Sequence, residues 1–162
     1  MKKRHGFVSN SSSSSFLVID KSGAMDDSLE GIVGEYSFGD KGVTEFGWGP
    51  ETLTDIFSRI NFAYLQATYF DESNAEKFIL DKNSMLLMLE EVIMSNSKIT
   101  DINWLLSSDY DVGKSEGKVW GYIDHQSSAC DGANMEIFDN EKILKDFIFG
   151  KNYIIEVQND NS

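Results

Sequence analysis

Pro50-Glu51-Thr52-Leu53-Thr54-Asp55-Ile56-Phe57-Ser58-Arg59-Ile60-Asn61-Phe62-Ala63-Tyr64 decides the class of fold. Leu53, Ile56, Phe57, Ile60 and Tyr64 recur at helical spacing and make one apolar face. Pro50 suits a first turn, where its missing N–H costs nothing. The spacing predicts a helix over about 51–70. A second helix follows, capped by Asn83 or Ser84, with Met85, Met88, Leu89 and Val92 on one face. No strand pattern separates the two. Helices grouped in this way do not alternate with strands as a doubly wound fold requires.

The flanks read as strands. Phe16 to Ile19 is apolar without alternation, as in a short buried strand. Residues 20–31 are a polar loop. Val33 to Trp48 reads as a β-hairpin, with Tyr36, Phe38, Phe46 and Trp48 as strand formers and Gly39-Asp40-Lys41-Gly42 as the turn. Ile99 to Leu106 is a strand, Ser107 to Gly117 a loop, and Val119 to His125 a strand with Trp120, Tyr122 and Asp124 on one side. Gln126 to Ala133 is irregular. Asp139 caps a third helix bearing Ile143, Leu144, Phe147 and Ile148, with Gly150 just past its end. Tyr153 to Val157 closes as a strand. The expected class is α+β: a mainly antiparallel sheet with about three helices packed on one face.

A chain of 162 residues fits one domain, 1–162. Within it, residues 1–15 form a basic, Ser-rich segment, 16–158 the globular body and 159–162 a tail. Eleven Phe point to an aromatic-rich core. No run approaches the about 18 apolar residues that span a bilayer. Serines stand where a secretory signal would carry its apolar stretch, so the expected compartment is the cytoplasm. A lone Cys130 excludes an internal disulfide framework and a multi-cysteine zinc site. No metal and no cofactor are expected.

Net charge is −13 and it is uneven. The first 15 residues hold three basic residues and no acid. Between Asp26 and Phe57 stand eight acids (Asp26, Asp27, Glu30, Glu35, Asp40, Glu45, Glu51, Asp55) against Lys41 alone. Such a surface repels nucleic-acid phosphates and attracts basic protein surfaces. It also serves plain solubility. Asp26, Asp27, Glu30, Glu45 and Asp55, with Trp48 between its two glycines, are the candidate partner-binding residues. Trp48 equally suits packing against the following helix.

Two other groupings carry possible chemistry. The string Tyr122-Ile123-Asp124-His125-Gln126-Ser127-Ser128, followed by Cys130 and Asp131, gathers polar groups at a strand end and in a loop. A neutral His125 would act as general base, oriented by Asp124 or Asp131. Neighbours on a strand point to opposite faces, so Asp124 pairs with His125 only across a bulge. A hydrogen-bonded strand-end histidine is the simpler reading. No HExxH, CxxC or EF-hand spacing occurs. The serine run Ser11 to Ser15 lies between Phe7-Val8 and Phe16-Leu17. Ser11, Ser12 and Ser13 with Arg4 would cradle an anion, or the run is a structural bridge or tail. It lacks the Walker arrangement.

The opening Gly6-Phe7-Val8-Ser9-Asn10-Ser11-Ser12-Ser13-Ser14-Ser15-Phe16 resembles that of many small bacteriophage and bacterial proteins. The Ile123-Asp124-His125-Gln126-Ser127 string and the ending near Asn159-Asp160-Asn161 are similar to members of that group. The resemblance implies a phage-linked context and carries over no catalytic residue. Two functions are therefore expected. One is an acidic phage-type protein that binds a basic host protein, such as a nucleic-acid-binding defence factor, and touches neither nucleic acid nor membrane. The alternative is a small enzyme with His125 as base and the serine loop holding an anionic or nucleotide-like substrate.

Overall fold

The computed structural model describes residues 15–18, 28–46, 51–53, 55–69, 80–123, 136–150 and 154–157, with 15–18, 51–53 and 154–157 as backbone. Nine strands and four helices lie among these residues. In chain order they are β1 (Ser15–Val18), β2 (Val33–Phe38), β3 (Glu45–Phe46), β4 (Glu51–Leu53), α1 (Ile56–Thr68), α2 (Lys82–Ser95), β5 (Lys98–Trp104), β6 (Leu106–Ser107), α3 (Tyr110–Ser115), β7 (Val119–Trp120), β8 (Tyr122–Ile123), α4 (Glu141–Phe149) and β9 (Ile154–Val157). The mixed helix and strand content agrees with α+β.

The strand pairing does not follow the expected hairpin. β2 pairs with β5 and β3 pairs with β8, both parallel, and β6 pairs with β7, also parallel. Only β1–β9–β4 is antiparallel, with β9 central. The expectation of a mainly antiparallel sheet is thus corrected. The cause lies at Gly39 to Thr44. Gly39 and Gly42 adopt φ of 115° and 78°, as turn glycines do. The turn lays the chain against α1 instead of reversing it. The Val43 N–H donates to Ser58 Oγ at 2.7 Å, and Asn61 Nδ2 donates to the carbonyls of Lys41 (2.8 Å) and Val43 (3.0 Å). A Cβ on Gly42 would stand 2.5 Å from the Ser58 nitrogen. β3 therefore leaves in the direction of β2.

Backbone bonds join the parallel ladders into one staircase. The Leu105 N–H donates to the Phe38 carbonyl at 2.8 Å, and the Leu105 carbonyl accepts from Val119 N–H at 2.7 Å. Gly121 N–H reaches Ser107 and Tyr122 N–H reaches Thr44, both at 2.9 Å. The spatial order is β2, the β5–β6 run, the β7–β8 run, then β3.

Other boundaries move for local reasons. α1 starts at Ile56, not 51, because Asp55 is its N-cap and accepts from Ser58 N–H at 2.8 Å, while 51–53 form β4. Asp81 caps α2 in place of Asn83 or Ser84. That backbone bond from Ser84, helped by the Ser84 hydroxyl, lowers the Asp81 pKa. The expected loop from Ser107 to Gly117 contains α3, capped by Asp109. Asn140, not Asp139, caps α4. Gly150 ends α4 as its C-cap with an ordinary φ of −69°.

α1 is the centre of the core. Eleven of its residues are buried, on every side. Its polar residues are interior anchors and not the solvated face that an amphipathic reading implies. Arg59 is 1% exposed and donates from Nη1 to the carbonyls of Gly150 (2.7 Å) and Phe147 (3.3 Å). Its charge thereby meets the C-terminal end of α4, where the helix dipole favours a cation. Burial pulls the guanidinium below its ordinary pKa, with Asp55 opposing. The expected aromatic core is present: Phe38, Phe46, Phe57, Phe62, Phe138 and Phe147 are buried. Tyr64 of α1 stacks on Trp104 with centroids 4.4 Å apart, and the Trp104 Nε1–H donates to Glu90 of α2 at 2.8 Å. No helix among the described residues is long and apolar enough to cross a membrane.

Candidate functional site: an aromatic ladder edged by acids

Side chains alternate along a strand. In the β7–β8 run, Gly121 and Ile123 are buried on the side facing α1. Trp120 and Tyr122 leave by the opposite side and remain half-buried. Their rings stack at 15°, with centroids 5.4 Å apart. Gly121 between them packs closely on the core: a Cβ there would meet the methyl ends of Leu65 at 2.9 Å and Leu106 at 3.0 Å.

Two more rings extend the row. Tyr69, at the end of α1, meets Tyr122 edge-on at 6.1 Å and directs its hydroxyl at the Gly121 carbonyl. Tyr110, in the first turn of α3, meets Trp120 edge-on at 5.5 Å. α3 lies flush on β7 because Gly113 has no side chain; a Cβ there would be 3.2 Å from the Trp120 Cβ. The ladder runs Tyr69, Tyr122, Trp120, Tyr110. Its last ring is 50% exposed. At the hydroxyl edge of that ring, the Lys114 ammonium donates to the Tyr110 hydroxyl.

Acids edge the ladder. Glu45 is the register partner of Tyr122 and is exposed, while its neighbour Phe46 is buried opposite Ile123. Glu45 and Tyr122 therefore share the outward side. Asp109, Asp111 and Glu116 bracket α3 and are exposed. Glu45, Asp111 and Glu116 make no ion pair among the described residues, where Lys142–Asp146 is the salt bridge found. Further along the staircase, Glu35 and Asp101 are register partners and both exposed. Like charges placed opposite each other cost stability unless something basic covers them.

The sequence-predicted residues divide three ways. Glu45 joins the ladder. Glu30 stands apart, exposed in the turn before β2, at the rim of a cleft of about 550 Å³ lined also by Leu29, Ile56, Lys98 and Phe149. Asp55 is half-buried and engaged in capping α1. Arg4, Ser11, Ser12, Ser13, Asp26, Asp27, Trp48, Asp124, His125 and Asp131 lie outside the described residues. Ser15 alone of the serine run is described, as the first residue of β1. Sequence reasoning set Trp120 and Tyr122 on one side of a strand and began the candidate catalytic string at Tyr122, but gave neither residue a role. It missed Tyr69, Tyr110 and Lys114. The Tyr110/Lys114 spacing of four residues was the available signal, hidden because residues 107–117 read as loop. No group of three or more His, Cys, Asp or Glu suited to a metal occurs among the described residues.

Comparison of the chain with protein-family models, with curated proteins and with solved structures gives no match.

Proposed function

We propose that this is a binding protein that works in the cytoplasm and docks its ladder face on a basic surface of another protein. The observation that carries the reading is Glu45 beside Tyr122, at the edge of a row of four aromatic rings, with Asp111 on α3 and Glu116 at its end also making no ion pair among the described residues. Aromatic rings supply large contact area at low entropic cost, and interfaces are rich in them. The surrounding acids set the sign of the partner and speed its approach. The phage-type opening makes a host protein the natural partner, and a nucleic-acid-binding defence factor has the right charge. A protein of net charge −13 has no attraction for nucleic acid itself.

The test is binding to a basic partner against ionic strength. Exposed charges are screened beyond about 8 Å at physiological salt, so association should be fast at low salt and fall steeply above it. Free DNA and RNA should not bind. Salt-independent association, or tight binding of free nucleic acid, contradicts the proposal. His125, on which the alternative enzyme reading is centred, lies outside the described residues.

A further inference from the structure

The cleft at whose rim Glu30 stands has a volume of about 550 Å³, within the range of small-molecule sites, about 300–1,000 Å³. Ile56 at the start of α1, Phe149 at the end of α4, Lys98 at the start of β5 and the 28–30 turn converge on it. Its apolar part is Leu29 (3% exposed), Ile56 (1% exposed) and the half-buried Phe149. Its uncharged polar side chains are engaged with the backbone. Asn96 Nδ2 donates to the Val92 carbonyl and Ser97 Oγ to the Ile93 carbonyl, both at 2.8 Å. Ser28 Oγ accepts from the Glu30 N–H at 3.1 Å. Glu30 and Lys98 remain. Both are exposed, their charges are opposite, and neither makes an ion pair among the described residues, where Lys142–Asp146 is the salt bridge found. The fold thus sets an unmatched anion and an unmatched cation on one apolar recess, from two different elements.

We propose that this cleft binds a short apolar peptide with both ends free, its ammonium end at Glu30 and its carboxylate end at Lys98. Charge complementarity argues for the two ends, and Leu29, Ile56 and Phe149 argue for apolar side chains between them. Such a ligand has no net charge, so a chain of net charge −13 does not repel it as it would a simple anion. A single amino acid carries both charges on one carbon, whereas each further residue of a peptide separates them by up to about 3.5 Å. Two side chains that do not pair with each other are therefore bridged better by two or three residues than by one. The cleft shares no residue with the aromatic ladder, and this site stands apart from the reading of the protein as one that docks on a basic partner.

The test titrates the tripeptide Leu-Ala-Leu into the full chain and follows backbone amide resonances. The N-acetyl and C-amide forms of the tripeptide probe the two ends. The free tripeptide should shift the amides of Leu29, Ser97 and Lys98. Each cap should weaken binding by about three- to fivefold, the upper range for an exposed ion pair. Glu30→Gln should weaken the free tripeptide to the same extent and remove the effect of acetylation while keeping that of amidation. Lys98→Gln should do the converse. Both positions are exposed, so the spectrum away from the cleft should be unchanged. Glu141→Gln, the same charge change as Glu30→Gln but at the other end of α4, should leave both cap effects intact. Absence of shifts in the parent chain, or shifts confined to residues outside the cleft, overturns the site. Cap effects that persist in Glu30→Gln and Lys98→Gln overturn the assignment of the two ends.

Discussion

Glu45 and Tyr122 are register partners on a two-residue parallel ladder, and this pairing puts an acid from the first third of the chain beside an aromatic from the last. The pairing exists because the chain fails to turn back at Gly39 to Gly42. Had the segment 33–48 formed a hairpin, Glu45 would have faced a residue of β2. One turn thus decides both the topology and the composition of the candidate interface.

That turn should be intolerant of a side chain. In Gly42→Ala, the new Cβ would meet the Ser58 nitrogen at 2.5 Å and the Phe57 carbonyl carbon at 2.8 Å, at a φ of 78°. Backbone atoms of a central helix cannot yield, and the conformation itself is disfavoured. A loss of about 2–4 kcal/mol is expected by chemical denaturation. Gly121→Ala meets only the methyl ends of Leu65 and Leu106 at an ordinary φ. It should cost about 1–2 kcal/mol. Reversal of that order would mean that the turn is not seated on α1.

Arg59 should be a stability residue and not a binding one. It is 1% exposed and spans from α1 to the last carbonyls of α4. Arg59→Ala removes charge-assisted bonds and leaves a void, for an expected loss of about 3–5 kcal/mol. Arg59→Lys keeps the charge but lacks the fork that reaches two carbonyls, so it should restore only part. Equal stability of Arg59→Ala and the parent chain would remove the α1–α4 tie.

Two tyrosines should make the protein sensitive to alkali. Burial raises the pKa of Tyr64, with Glu90 adding to it, and burial raises that of Tyr36, with Asp40 adding. A raised native pKa means that the folded state holds the proton after the unfolded chain has lost it. Their contribution is therefore complete below the unfolded value of about 10 and is lost as pH rises through the native one. Thermal melts between neutral pH and pH about 11 should show the decline, and Tyr64→Phe should flatten it. The Tyr36 hydroxyl is also buried with no hydrogen-bond partner among the described residues. Tyr36→Phe should thus leave neutral-pH stability unchanged or raise it by about 1 kcal/mol.

Local signals in the sequence were readable where one physical term dominated. The apolar spacing of Met85, Leu89 and Val92 marks α2, and Ile143, Leu144, Phe147 and Ile148 mark α4. Gly39 and Gly42 are turn glycines, as their surroundings suggest. Strand direction was not readable, because a turn's residues do not say whether the chain reverses or docks on a helix. Nor was the burial of Ser58, Arg59 and Asn61. Polar residues on a helix resemble a solvated face until the groups they bond, here the 41–43 turn and the end of α4, are known. The ladder was half legible. Trp120 and Tyr122 follow from strand alternation, whereas Tyr69 and Tyr110 reach it through tertiary packing that no local pattern encodes.

The most direct measurement is affinity capture, from an extract of the proposed host, with three baits, at low salt and at several times physiological ionic strength. The baits are the parent chain, the double reversal Glu45→Lys/Asp111→Lys at the ladder, and the control Glu91→Lys/Glu141→Lys, which makes the same charge change at exposed sites on α2 and α4. Parent and control should retain the same basic protein at low salt. The ladder reversal should lose it by about tenfold or more, since like charges at an interface cost several kcal/mol, and high salt should release it from all baits. A partner held equally by all three baits, or held at high salt, would contradict docking through the acid-edged aromatic face.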